Sequence, residues 1–258
     1  MSNQVPAWQG PILDNHFHLN RNGRYLDAAH DFKRAGGTNI VLIHCPDFAS
    51  PPTTKEGHRA AYQNTIAMAE SVRTELDLHV RVVLGPHPAA FAHQFIEWVE
   101  KDGAKGKNRA IENYRDSIDE AVKFYHEGKA HAIGEVGRPH WEVSQEIWDL
   151  SNDLLCETMS LAANDGFALQ LHVEGELEST YSDMAAMAEK SGLQKDRLIR
   201  HYSPPNVEAK ITQGLTPSVL AGKGALATLL ATAEQCSHGF MLETDYMDDL
   251  RRPGAVLG

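Results

Sequence analysis

Eight short apolar runs, separated by stretches of helical periodicity, leave this chain few ways to fold. The runs lie at 11–18, 38–44, 79–84, 131–137, 167–173, 197–201, 216–221 and 239–245, and most are rich in β-branched or aliphatic residues, as buried strands are. Helices are expected at 24–35, 57–78, 144–165, 179–191 and 225–236, with a short one at 206–213. The stretch 89–128 exceeds what one crossover needs, so it predicts two helices, 90–101 and 111–126, separated by the polar, glycine-containing segment 101–108. Strands alternating with connections of this length form parallel crossovers. Eight repeats point to an α/β fold of the TIM type, a (β/α)8 barrel, whereas an open doubly wound sheet would stop at five or six strands. One domain spanning 1–258 is expected. Only thirteen residues follow Asp245, too few for a complete eighth helix. The outer layer is therefore expected to be open there, or covered by the early chain or a second subunit in a homo-oligomer, unless the natural chain continues beyond Gly258.

Composition narrows the function. With 42% hydrophobic and 23% charged residues the chain can bury a substantial core. A formal net charge of −11 argues against passive coating of nucleic acid, which depends on neutralised phosphates. An enzyme that meets phosphates through metal ions is not excluded. Cys45, Cys156 and Cys236 are odd in number and far apart, which suggests neither a disulfide framework nor a zinc knuckle. The first ten residues are not a secretory signal, and no apolar window approaches the roughly 18 residues a membrane helix needs. A soluble, cytoplasmic protein is the expectation.

The chemistry gathers at the ends of the runs. His16 and His18 close the first, two residues apart and so on one face of a strand. Glu135 ends the fourth, His172 the fifth, His201 the sixth and Asp245 the eighth. In a barrel the C-terminal strand ends converge on one mouth. Four imidazoles and two carboxylates there suit one divalent ion or a pair. Glu135 offers two oxygens and can bridge two ions, but the same donors also fit one metal plus a general base. Around this set, His87, fixed between Pro86 and Pro88, His44 at the end of the second run, and Arg138 after the fourth are candidates to touch substrate. Arg138 is the foremost cation for an anionic substrate, ahead of Arg200 and Lys223. Asp14 either holds a ligand histidine or simply caps the strand, and Glu174 reads as an exposed loop acid.

As an ordered set, Asp14-x-His16-x-His18, Gly85-Pro86-His87-Pro88, Gly134-Glu135-Val136-Gly137, the isolated His172, His201 and Glu243-Thr244-Asp245 resemble the TatD-like branch of the amidohydrolase superfamily. The resemblance runs from Asp14 to Asp245. It implies a metal-dependent TIM-barrel hydrolase in which His16, His18 and Asp245 hold one metal, Glu135 bridges, and His172 and His201 complete a second site. Other branches bridge with a carboxylated lysine; with Glu135 in that place none is expected here. Three features depart from the pattern. His172 is followed by Val173-Glu174 instead of arginine, Gly137 by Arg138-Pro139 instead of leucine-aspartate, and Asp245 by Tyr246-Met247-Asp248-Asp249 instead of Asp-x-Pro. The metal core is intact while the surrounding shell differs, as in a divergent, archaeal-type relative.

The expected chemistry is hydrolysis with one or two divalent ions, zinc foremost, with manganese, magnesium, nickel or iron also admitted. Asp245 and Glu135 are the candidate catalytic carboxylates, with Asp245 placed to orient a water and take its proton. A phosphodiester, including nucleic acid, is the first candidate substrate; a small amide, lactone or phosphoester is the alternative. A non-catalytic, metal-stabilised scaffold is a third reading. A nucleotide-cofactor enzyme lacks support, because no G-x-G-x-x-G follows the first run and Gly222-Lys223-Gly224 lacks Walker spacing.

Overall fold

The structure, a computed structural model, describes residues 8–175, 178–249 and 252–253. Eight parallel strands stand side by side in chain order: β1 (Leu13–Phe17), β2 (Asn39–Ile43), β3 (His79–Leu84), β4 (Ala132–Gly137), β5 (Leu169–His172), β6 (Leu198–Ser203), β7 (Thr216–Leu220) and β8 (Met241–Glu243). The helices α1 (Leu26–Arg34), α2 (Lys55–Leu76), α3 (Pro88–Asp102), α4 (Ala104–His126), α5 (Gln145–Asp165), α6 (Glu178–Ser191), α7 (Ala209–Thr212) and α8 (Leu226–Gln235) fill the crossovers. This is the expected (β/α)8 barrel, nearly closed. Between β1 and the chain after β8 the seam is carried by one isolated parallel bridge, Phe17 to Tyr246, with the His18 amide donating to the Tyr246 carbonyl at 2.9 Å.

Two helices lie between β3 and β4, so none among the described residues follows β8. The chain instead turns into a short antiparallel ribbon, β9 (Asp248–Asp249) with β10 (Arg252–Pro253). The stretch 101–108, expected to be a polar separator, is helical except for Gly103, whose φ of 57° and ψ of −131° break the axis. Gly106 explains why α4 starts so early: a Cβ there would lie 1.8 Å from the Trp98 carbonyl oxygen. The small residue lets the first turn of α4 press against α3, an approach that composition alone does not reveal.

The helices cover the sheet because their apolar stripes face it. Phe32 on α1, Tyr62 and Val72 on α2, Phe95 and Trp98 on α3, Phe124 on α4, Leu155 on α5 and Tyr181 on α6 join one core with Leu42, Val82, Ile133 and Leu171 of the strands. Chain punctuation is local. The Thr54 hydroxyl accepts the Gly57 amide at 3.1 Å to cap α2, and Gly166, with φ of 80°, ends α5 in the left-handed conformation. Inside the sheet, polar ties join strands that are not neighbours: the Asn15 amide donates to Ser218 at 3.0 Å, and Gln170 donates to the Asn15 carbonyl at 2.9 Å. No described helix is long and apolar enough to cross a membrane.

Candidate metal centre

Six side chains expected at the strand ends meet at one mouth. The His16 and His18 Nε2 atoms are 3.0 Å apart. Glu135 stands among four imidazoles: its Oε1 is 2.9 Å from His172 Nδ1 and 3.6 Å from both His16 and His201 Nε2, and its Oε2 is 3.7 Å from His18 Nε2. Asp245 Oδ1 lies 3.9 Å from Nε2 of both His16 and His18. Three overlapping sets have ligand atoms mutually within 4.8 Å: His16 with His201 and Asp245, His16 with His18 and Glu135, and His87 with Glu135 and His172.

Local structure explains how the donors arrive. Asp14 accepts the Thr244 amide at 3.0 Å, the Thr244 hydroxyl at 2.5 Å and the His16 amide at 3.1 Å. Thr244 is thereby tied to β1 on one side of Asp245, and Tyr246 is bridged to β1 on the other. Asp245 itself sits at φ of 49°, a left-handed conformation that aspartate tolerates better than most residues. Those two anchors swing its carboxylate over the histidine pair. They also shorten β8 to three residues, where 239–245 had been expected. On the far side, Gly137 allows β4 to crowd β5: a Cβ there would stand 1.9 Å from the His172 carbonyl oxygen. That close approach sets His172 beside Glu135.

The electrostatics are those of a buried donor set. Burial pushes the His18 imidazole down to about 3, with the like charge of His16 adding to it. Burial also takes His87 down to about 3 and His44 to about 4. Uncharged imidazoles of this kind are ready ligands or hydrogen-bonding groups. Burial works against the Glu135 carboxylate, yet the surrounding histidines hold it well below the ordinary range. Burial raises Asp245, and lifts Asp14 to about 6. His201 is also opposed by burial, but Glu243, Glu135 and Asp245 carry it up to about 9. The three carboxylates around His201 thus call for positive charge at this place. Four imidazoles and two carboxylates around a buried, charge-demanding centre therefore fit a divalent ion.

Glu243 has a role that sequence reasoning left unassigned. Its Oε1 lies 2.8 Å from His201 Nδ1 and accepts the Tyr202 amide at 2.7 Å. A carboxylate behind a ligand histidine fixes its tautomer and raises its basicity. The signal was present, since Glu243 and Asp245 are two residues apart at a strand end. His140 is a second addition, with its ring 4.9 Å from His172. It follows β4 in a loop, and nothing in the sequence distinguished it.

The three expected substrate contacts fare differently. His87 is at the mouth, 4.4 Å ring to ring from His172. His44 hydrogen-bonds Thr65 at 2.8 Å, meets Tyr62 edge-on, and lines a groove of about 830 Å³ that opens beside His18. Arg138 is already committed. Its Nε donates to Glu174 at 2.7 Å, its NH1 to Asn152 at 3.1 Å, and its NH2 to Asp183 at 3.0 Å and to the second Glu174 oxygen. Glu174, expected to be an exposed loop acid, is instead the partner that clasps Arg138, with only 17% of its side chain accessible.

Comparison with known proteins follows the same lines. The TatD related DNase family model matches residues 13–257. The chain belongs to the TatD related DNase family. A curated relative, the uncharacterized protein MJ1127 of Methanocaldococcus jannaschii, is 30% identical over 251 residues, covering 96% of this chain and 83% of the relative. This archaeal kinship supports placement on a divergent branch of the TatD-like proteins. Among solved structures, the TatD-like protein AF1765 of Archaeoglobus fulgidus superposes with a TM-score of 0.59 at 15% identity, covering 91% of this chain and 85% of that one. The phosphotriesterase homology protein of Escherichia coli, solved with phosphate in its active site, gives 0.55 at 14% identity, with 90% and 81% covered. These two likenesses show the shared barrel. With the family, the fold and the clustered donors in place, this TatD family member is a metal-dependent hydrolase.

Proposed function

We propose that the protein hydrolyses short phosphoesters, phosphodiesters first, at a pair of divalent ions. The observation that carries this reading is the position of Glu135, with one oxygen facing His16, His172 and His201 and the other facing His18. On this reading His16, His18 and Asp245 would hold one ion, His172 and His201 the other, and Glu135 would be shared between them. Zinc suits such imidazole and carboxylate donors, and manganese, magnesium, nickel and iron are the alternatives. Bound ions of this kind lower the pKa of water and polarise a phosphoryl or carbonyl oxygen.

The chain's own residues supply the rest. Asp245, raised by burial and with 26% of its side chain accessible, is placed to take a proton at the open side of the mouth. Glu243 orients His201, and Asp14 holds the strand end from which His16 projects. The family membership favours a phosphodiester, but the walls of the groove favour a short one. Among the described residues, Asp47, Asp248 and Asp249 line it against one cation, Arg21, and Arg138 is bound to acids elsewhere. A long polyanion would be repelled along such a track, whereas a small ester meets its charge at the ions. The same acidic walls support a second reading, hydrolysis of an uncharged lactone or amide. A scaffold role is disfavoured by six clustered donors with a partly accessible carboxylate, because structural sites close with four ligands.

The test is elemental analysis of protein purified without chelator, beside a Glu135→Gln variant, followed by assay after zinc or manganese loading. Nitrophenyl phosphodiester, short oligonucleotide and nitrophenyl acetate serve as substrates. Two ions per chain, one lost in the variant, and phosphodiester cleavage that falls more than about 100-fold support the proposal. One ion retained in both proteins removes the bridge. Turnover of the carboxylic ester alone would transfer the site to the second reading.

A further inference from the structure

We propose that the substrate is a short phosphodiester carrying one further anionic group, a phosphate or a carboxylate, which Arg21 grips in the groove beside His18. The proposal rests on the hydrolase reading above and names the substrate class for the same site. The groove of about 830 Å³ takes in His18, Asn20, Arg21, Asn64 and Thr65. Arg21 follows His18 by three residues, so their Cα atoms are at most about 11 Å apart. A group held at the metal centre and a group held by Arg21 can therefore belong to one small molecule.

Two side chains, neither of them a carboxylate, fix the guanidinium. Its Nε donates to Asn64 Oδ1 on α2 at 2.7 Å, and its Nη1 donates to the Tyr25 hydroxyl at 3.4 Å. The Tyr25 ring backs it, with 5.2 Å from Cζ to the ring centroid, and the Tyr25 amide is anchored to Asp248 at 2.8 Å. Arg24, Arg59, Arg115 and Arg138 each pair with a carboxylate. Arg21 pairs with none among the described residues, although Asp47, Asp248 and Asp249 line the same groove. Two of those acids are engaged by backbone instead: Asp47 accepts the Ala49 amide at 3.0 Å, and Asp248 accepts the Asn20 and Arg24 amides at 2.9 and 2.7 Å. A guanidinium presents five N–H groups in a planar fork. Asn64 and Tyr25 take two of them, which leaves Nη2 and one N–H of Nη1. That edge receives two oxygens of a phosphate or carboxylate side by side. One such cation between acidic walls matches one extra anion and not a longer series, which is the discrimination a short substrate requires.

The test compares, on metal-loaded protein, a thymidine dinucleotide bearing a terminal phosphate at its 5′ or 3′ end with the same dinucleotide lacking it. A nitrophenyl phosphodiester with a carboxylate tail, beside its methyl ester, forms the second arm and separates the two anions. In at least one arm the extra anion should raise kcat/KM about 10- to 100-fold, mainly through KM, and Arg21→Gln should bring that ratio near one. Arg21→Lys keeps the charge without the fork and should fall between. A ratio near one for the parent in both arms, or an unchanged ratio in Arg21→Gln, overturns the proposal. Binding is read apart from hydrolysis by NMR of zinc-loaded protein, with the Arg21 Nε–H signal assigned by its loss in Arg21→Gln. It should shift with slowly cleaved phosphorothioate analogues that carry the anion and not with those that lack it. Should the parent cleave no diester, the hydrolase reading fails. A shifting signal then still supports anion recognition at Arg21, and a signal that stays in place refutes it.

Discussion

Replacing Asp248 with alanine should loosen the barrel at the seam, where no helix follows β8 among the described residues. The Asp248 carboxylate accepts the backbone amides of Asn20 at 2.9 Å, Arg24 at 2.7 Å and Tyr25 at 2.8 Å, and the Tyr246 hydroxyl donates to it at 3.3 Å. Helix α1 has no capping side chain of its own, and its N-cap residue Tyr25 sits at φ of 49°. Asp248 therefore caps α1 from the other end of the chain, with its negative charge at the favourable pole of the helix. Hydrogen bonds to a charged group contribute about 1.5–3 kcal/mol each. Asn20 and Arg24 are exposed, so their amides regain water when the carboxylate is removed. A loss of about 3 kcal/mol follows, well below the simple sum. For a chain of this size that is roughly 6–12 °C in Tm. Asp248→Asn keeps one acceptor oxygen and should lose about half as much. Urea unfolding of the parent and both variants measures the difference, and KM should rise with it because Asp248 also lines the groove beside His18. If Asp248→Ala stays within about 0.5 kcal/mol of the parent, the ribbon is not what secures the seam.

Arg138→Met should cost about 3 kcal/mol by leaving the Glu174 carboxylate without its partner, and should leave KM for a phosphodiester within about twofold. Adding Glu174→Gln should restore much of the stability. A KM increase of about tenfold with unchanged melting would return Arg138 to the substrate. The His44 imidazole, pushed down to about 4 by burial, makes a separate prediction for pH. Its folded pKa is below the unfolded value, so its contribution is complete above about pH 6.5 and is lost as the pH falls toward 4. The shift amounts to roughly 3 kcal/mol. Urea unfolding of metal-stripped protein at about pH 7.5 and about pH 4 should show a smaller pH loss in His44→Gln by that amount, and equal slopes would refute the assignment.

What the sequence made legible was whatever a single strand carries by itself. His16 and His18 share a face by their spacing, and each later donor closes an apolar run, so strand ends that converge in a barrel bring them together. Interactions between loops were out of reach. Arg138 and Glu174 lie 36 residues apart, and nothing local to either announces the other, so a buried clasp read as a free cation and a free acid. The segment 101–108 looked like a loop because lysine, glycine and asparagine dominate it, yet close packing on Trp98 overrides that preference and uses Gly106 for contact.

The departures from the family pattern have a physical reading of their own. Where the family places Asp-x-Pro, this chain has Asp245-Tyr246-Met247-Asp248, and so lacks a proline to stiffen the chain directly after that aspartate. The structure replaces rigidity of the backbone with two tethers to the start of the barrel. Tyr246 bridges to Phe17 directly after Asp245, and Asp248 gathers the amides that open α1. Asp245 is thus held by interactions between the two ends of the sheet. Sequence motifs around the last strand can therefore change while the carboxylate stays 3.9 Å from both histidines, provided something else ties β8 to β1. By the same logic the position of a proposed catalytic group depends on the closure of the seam, which is why a substitution at Asp248 should be felt at the mouth as well as in the fold.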